Sequence, residues 1–206
     1  MRIVCISDTH GRLGEVVVPE GDVLVCAGDF TRRGTEDEIR AFARALHALP
    51  HPEKVVVAGN HDFLFERDPE RARALLGDVR YLRDEGVSID GRSFWGSPWQ
   101  PEFCDWAFNL PRGAALAERW ALVPDATDVL VTHGPPRGVL DVTVSGEAVG
   151  CDDLARELRR IAPRLHVFGH IHEAYGRVDA DGTIFVNASI CDVRYAASHR
   201  PIVVDL

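Results

Sequence analysis

Five times along this chain a short apolar run stops at polar residues able to bind a metal. Ile3–Ile6 is followed by Asp8-Thr9-His10, Val23–Ala27 by Gly28-Asp29, and Val55–Ala58 by Gly59-Asn60-His61-Asp62. Val129–Thr132 leads into His133-Gly134, and Leu165–Phe168 into Gly169-His170-Ile171-His172. Runs of four or five residues, rich in Val and Ile, predict strands covered on both faces. Strands of that kind need helices over their sheet, which places the chain in the α/β class. Open α/β sheets bind ligands at their strand ends, where these polar segments fall.

The intervening segments agree. Thr35 can cap a helix that Glu38 completes as a capping box, with Ile39, Phe42, Ala43 and Leu46 at helical spacing. Strand, helix, strand implies parallel pairing of the flanking strands. A second helix is predicted at Pro69–Leu76, ended by Gly77, and another at Asp152–Ile161 with Leu154, Leu158 and Ile161 on one face. Asp90-Gly91 marks a hairpin between Val79 and Trp95. Thr183–Val186 and Ile202–Val204 are further strands. With 206 residues and no stretch that reads as a linker, one domain over residues 1–206 is expected.

Bulk properties exclude several classes. The longest apolar runs are far too short to span a bilayer, so no membrane partner is expected. The chain goes straight from Arg2 into a strand and a candidate ligand, and is read without a signal peptide. Five scattered cysteines, none in a CxxC pair, fit a reduced, cytoplasmic protein. With 23 basic against 32 acidic residues the net charge is −9, which argues against an extended nucleic-acid surface but allows a small nucleotide.

The chemistry lies in the polar segments. Asp8-x-His10 sets a carboxylate and an imidazole two apart, on one side of an extended segment. Gly28 lets the chain bend and approach a metal closely, and the two oxygens of Asp29 suit it to bridge two cations. Asn60 offers a neutral oxygen ligand, and the adjacent His61 can act on a substrate without being a ligand. His170-x-His172 has the spacing of a first-row metal site. The remaining histidines, His47, His51, His166 and His199, read as surface or structural. Each segment alone also fits an ordinary polar turn; together they supply about the ligand number that two neighbouring divalent cations need.

The ordered series DxH, GD, GNH, H and GHxH resembles the calcineurin-like metallophosphoesterase family over nearly the whole chain. Ala27-Gly28-Asp29-Phe30-Thr31, Thr132-His133-Gly134-Pro135-Pro136, Phe168-Gly169-His170-Ile171-His172-Glu173 and Asn187-Ala188-Ser189 narrow the likeness. They are similar to the branch of animal metallophosphoesterase-domain-containing proteins, near the class III cyclic nucleotide phosphodiesterases. The resemblance implies a four-layer αββα sandwich of two mixed sheets flanked by helices. It implies one metal on Asp8, His10, His172 and a shared Asp29, and a second on Asp29, Asn60, His133 and His170. Asn60 and His61 would contact substrate, and His61 would act on the reacting phosphate or leaving group. Protein phosphatases of this superfamily continue the second motif as GDxxDRG; here Arg32 stands where the second Asp would be.

The expected function is therefore hydrolysis of small phosphodiesters, with cyclic nucleotides as candidates, by attack of a hydroxide bridging two metals. Mixed oxygen and nitrogen ligands without cysteine suit manganese first, then iron, zinc, nickel or cobalt. A phosphomonoesterase or phosphoprotein phosphatase is the alternative. A catalytically inactive metal-binding scaffold ranks below both, because all seven ligand positions are filled. Trp99 and Phe103 could offer a stacking face for a base or simply cover the sheet edge. Arg32 and Arg33 could contact phosphate or lie solvated at the surface.

Overall fold

A computed structural model describes residues 1–206. The first sheet contains β1 (Arg2–Ile6), β2 (Val23–Cys26) and β3 (Glu53–Val56), with α1 (Glu36–His47) crossing between β2 and β3. After β3 come α2 (Phe63–Arg67), α3 (Pro69–Leu76) and a short β4 (Arg80–Tyr81). The second sheet begins with β5 (Glu85–Ile89) and β6 (Arg92–Ser97). A small ribbon of β7 (Gln100–Pro101) and β8 (Asn109–Leu110) precedes α4 (Ala114–Trp120). Then follow β9 (Val129–Thr132), α5 (Asp152–Ile161), β10 (Leu165–Phe168), β11 (Gly176–Ala180), β12 (Thr183–Asn187) and β13 (Ile202–Asp205).

The sheets order as β13-β1-β2-β3-β4 and β11-β12-β10-β9-β6-β5, and both are mixed. In the first, β1 to β4 run parallel and β13 returns antiparallel against β1. In the second, β6, β9, β10 and β12 are parallel, with antiparallel strands at both edges. Side-chain alternation divides the core. Ile3, Cys5, Val23, Val25 and Val55 of the first sheet meet Val129, Val131, Leu165, Val167 and Val186 of the second. Their sequence neighbours Val4, Ile6, Leu24, Cys26 and Val56 point outward to Ile39, Phe42 and Leu46 of α1 and Leu76 of α3. Leu130 of the second sheet belongs to the same outer cluster as Trp120 of α4 and Leu154 of α5. The expected arrangement of two mixed sheets between helices is the one observed, and no helix is long and apolar enough to cross a membrane.

Local signals explain most of the elements. Thr35 caps α1 with the full capping box, and Gly77 follows α3 at φ 78°. Asp90 and Gly91, at φ 46° and 75°, turn the β5–β6 hairpin. One local expectation fails. Asp8 and His10 do not lie in an extended segment, since their φ values are 52° and 42°. The chain leaves β1 in a tight turn, held by Asp8 N–H on the Gly28 carbonyl and His10 N–H on that of Asp29.

Candidate metal centre

Every polar segment singled out in the sequence emerges at the carboxyl end of a parallel strand, and the two sheets meet there. Ser7, just past β1, pairs with Ser189, just past β12. Gly169 N–H donates to the His133 carbonyl, closing the ends of β9 and β10. Asp8, His10, Asp29, Asn60, His133 and His172 converge in one buried floor. Three trios there hold ligand atoms within 4.8 Å of one another: Asp8, His10 and His172; His10, Asp29 and His61; Asp8, Asp29 and His133. His170 lies beside them, its ring 5.0 Å from that of His133 and its main-chain N–H donating to Asp8 Oδ2 at 2.9 Å. Its imidazole joins none of the trios.

The imidazoles share an orientation that fixes their chemistry. Nδ1 of His10 faces the Thr31 carbonyl at 3.2 Å, that of His61 the Arg32 carbonyl at 2.8 Å, and that of His133 the Ala27 carbonyl at 2.9 Å. Nδ1 of His172 faces the Asp192 carbonyl at 3.0 Å. A carbonyl oxygen only accepts, so each Nδ1 carries the proton and each neutral ring turns a bare Nε2 lone pair inward. His10 Nε2 and His172 Nε2 then confront each other at 3.3 Å. His133 Nε2 confronts Asn60 Oδ1 at 2.9 Å and Asp29 Oδ1 at 3.5 Å. Asp8 Oδ1 is buried with no hydrogen-bond donor. Lone pairs brought together in this way form a donor set that a proton or a cation must share, and carboxylate, imidazole and amide donors of this kind fit divalent metal ions.

The charges respond to the same geometry. Burial opposes ionisation of Asp8 and Asp29, but His172 beside Asp8 and His133 beside Asp29 outweigh it, holding both carboxyls well below their usual range. Burial likewise disfavours charge on His133 and His172. The negative charges of Asp29 and Asp8, respectively, reverse that and raise each imidazole to about 9. A proton thus occupies these pairs where no metal does. Burial, and then the charge of His133, push His170 down to about 4.

The strand ends are built to bring main chain against these groups. A Cβ on Gly169 would strike the Asp8 carboxylate and Ser7, and one on Gly59 would strike Asp29. Asp8, Asp29, His10 and His170 all adopt positive φ, a conformation that costs non-glycine residues of order 1–3 kcal/mol each.

Several site residues were not visible as such in the sequence. Asp62, next to His61, is one of them. It is fully buried and accepts four hydrogen bonds, from the N–H groups of Asp29, Gly59 and Thr31 and the Thr31 hydroxyl. It clamps the β2 and β3 turns together; burial, then the charge of Asp29, raise its pKa to about 7. The main-chain carbonyl of Arg32 holds His61, and the Arg32 Nε donates to the His10 carbonyl. Trp106 lies over His61 with ring centroids 4.2 Å apart, and Tyr195 lies 4.7 Å from His10. Trp99 does not offer a free face: it is buried, with Nε1 donating to Asp84 at 2.7 Å.

With this centre described, the chain can be placed. It belongs to the calcineurin-like phosphoesterase family, whose sequence model matches residues 1–174. Metallophosphoesterase domain-containing protein 1 of Homo sapiens is 46% identical over 231 aligned residues, spanning all of this chain and 71% of its own length. The UPF0046 protein K07C11.7 of Caenorhabditis elegans is 43% identical over 98% of this chain and 74% of its own length. Among solved structures, TT1561 of Thermus thermophilus matches with a TM-score of 0.62 over 90% of this chain and 88% of its own, at 16% identity. At that identity the likeness speaks for the fold alone.

Proposed function

We propose that this protein hydrolyses small phosphodiesters, cyclic nucleotides among them, at a centre of two divalent metal ions. Asp8, His10 and His172 would hold one ion and Asn60, His133 and His170 the other, with Asp29 serving both. The observation that carries the reading is the convergence of inward-facing Nε2 atoms with carboxylate and amide oxygens, a donor set that suits two cations. Bound there, such ions neutralise charge at phosphorus and make water acidic enough to attack near neutral pH. His61 is no ligand. Its Nδ1–H is spent on the Arg32 carbonyl, and its Nε2 lies 3.9 Å from Asp29 Oδ2 at the mouth of the cleft. In the imidazolium form it donates Nε2–H to a phosphoryl oxygen or to the departing alkoxide.

Charge favours the diester over the monoester. No Lys or Arg lines the cleft around Asp29, Asn60 and His61, and Glu173 adds one further carboxylate to its wall. A phosphomonoester carries about −1.5 to −2 near neutrality, whereas a diester carries a single charge, and beyond the metal ions and His61 no lysine or arginine stands by for the second. After loading with manganese, bis-p-nitrophenyl phosphate should turn over faster than p-nitrophenyl phosphate. A monoester preference overturns the diester reading. No turnover of either compound with manganese, iron, zinc, nickel or cobalt overturns the enzyme reading.

A further inference from the structure

A proton donor must be aimed as well as present, and hydrogen bonding alone does not aim His61. Its one ring hydrogen bond, from Nδ1 to the Arg32 carbonyl, fixes a single point of the imidazole. The ring can still swing about that point, because the terminal torsion of histidine is broad. What limits the swing is aromatic. His10 meets His61 edge-on, with ring centroids 4.7 Å apart. Trp106 lies over it in a tilted stack, with centroids 4.2 Å apart and planes at 34°. Between these neighbours the His61 side chain is only 12% exposed, although it lines the cleft.

The loop that carries Trp106 is anchored to the segment that carries His61. It joins β7 to β8, and Ala107 N–H donates to the carbonyl of Asn60, the residue before His61, at 3.2 Å. Phe108 N–H donates to Glu66 of α2 at 2.7 Å, and Phe63 of the same helix lies 5.7 Å from Trp106. Asn109 Nδ2 closes the loop on the carbonyls of Phe103 and Cys104. Two non-glycine residues bracket Trp106 in the left-handed region, Cys104 at φ 50° and Phe108 at φ 59°. Backbone of this kind costs free energy and persists only where the surrounding contacts enforce it.

We propose that Trp106 is the positioning residue of His61: the indole, stacked on the imidazole, holds the ring plane so that Nε2 points at the reacting phosphate. The proposal rests on the reading of His61 as the donor to a phosphoryl oxygen or to the departing alkoxide. Trp106 acts through His61, so its loss should fall on kcat and leave KM and metal content alone. The indole also lines the cleft, and a direct contact with substrate would show in KM instead.

Two substitutions and a double-mutant cycle test it. Trp106→Leu keeps apolar bulk and gives up the flat face. In the manganese-loaded enzyme it should lower kcat for bis-p-nitrophenyl phosphate by roughly ten- to a hundredfold, the scale of a misplaced catalytic group. KM should hold, with metal still near two equivalents. Trp106→Phe restores a flat face and should recover most of the loss. In the His61→Ala background, Trp106→Leu should change kcat by less than about twofold, because the group it positions is gone. Unchanged kcat in Trp106→Leu, a Phe variant as slow as the Leu variant, a change confined to KM, or equal losses in both backgrounds refutes the proposal and leaves the diesterase reading standing. If the wild type cleaves no diester, or His61→Ala is as fast as the wild type, the reading of His61 has failed and the proposal falls with it.

Discussion

Four histidines present Nε2 to the cleft because four backbone carbonyls hold their Nδ1–H groups, and three of those carbonyls belong to one short turn, Ala27, Thr31 and Arg32. The residue that departs from the protein-phosphatase motif therefore still orients His61, through its main chain. A carbonyl fixes the ring without adding negative charge. His61→Ala should cut kcat by ~10²–10⁴ while metal content, measured by mass spectrometry after dialysis, stays near two equivalents; a parallel loss of metal would make His61 a ligand. Asp62 sets a different requirement. Each of its oxygens accepts two donors, so Asp62→Asn turns an NH₂ against two hydrogen-bond donors in a sealed site. Unsatisfied buried groups cost ~1–3 kcal/mol each, and chemical denaturation of the metal-free protein should show a loss on the order of 3 kcal/mol. A loss under about 1 kcal/mol would mean that these amides find other partners.

Elements with a complete local code were legible. α1 carries its own cap and an apolar stripe, α3 and α5 carry stripes with clear stops, and the central strands are uniformly apolar. α2 was not legible, because Phe63–Arg67 spans barely more than one turn and its N-cap makes no side-chain hydrogen bond. α4 has Gly113 as its N-cap, also without a side-chain cap, and shows only Leu116 and Trp120 as buried anchors. β10 hides a cost that its sequence does not announce. His166 is fully buried there, and its Nε2–H donates to Thr132 Oγ1, whose own proton goes to the Gly134 carbonyl. Its Nδ1 has no partner. Burial drives its pKa down from 6.5 to about 3. Between those values the unfolded chain binds the proton and the folded chain refuses it. The stability of the neutral ring is thus whole above pH 6.5 and lost as pH falls towards 3, by up to about 1.4 kcal/mol per unit. Urea unfolding at pH 7 and pH 5 should show a smaller acid loss for His166→Leu than for the wild type; equal losses would mean that His166 does not contribute.

On the scale of the whole molecule, both cores close through apolar contacts, and the proposed metal ligands sit on their rim. The metal-free protein should consequently fold and melt cooperatively. Manganese at a hundredfold excess over its Kd should add about 2.7 kcal/mol, or roughly 5–10 °C in Tm, by scanning calorimetry. A chelator should reverse the shift, and no shift at all would count against the metal centre.

The sequence by itself determined the α/β class, the order of the main strands and helices, and the ligand types, because strand burial and helix capping are written in contiguous residues. It also carried the likeness to the family through the order of those ligands. Tertiary structure alone decided which atoms face the cleft. The tautomers of His10, His61, His133 and His172 depend on carbonyls up to 106 residues away, and Asp62, Trp106 and Tyr195 reach the site through packing. Contacts of that kind are set by how the two sheets converge, and no local pattern encodes them.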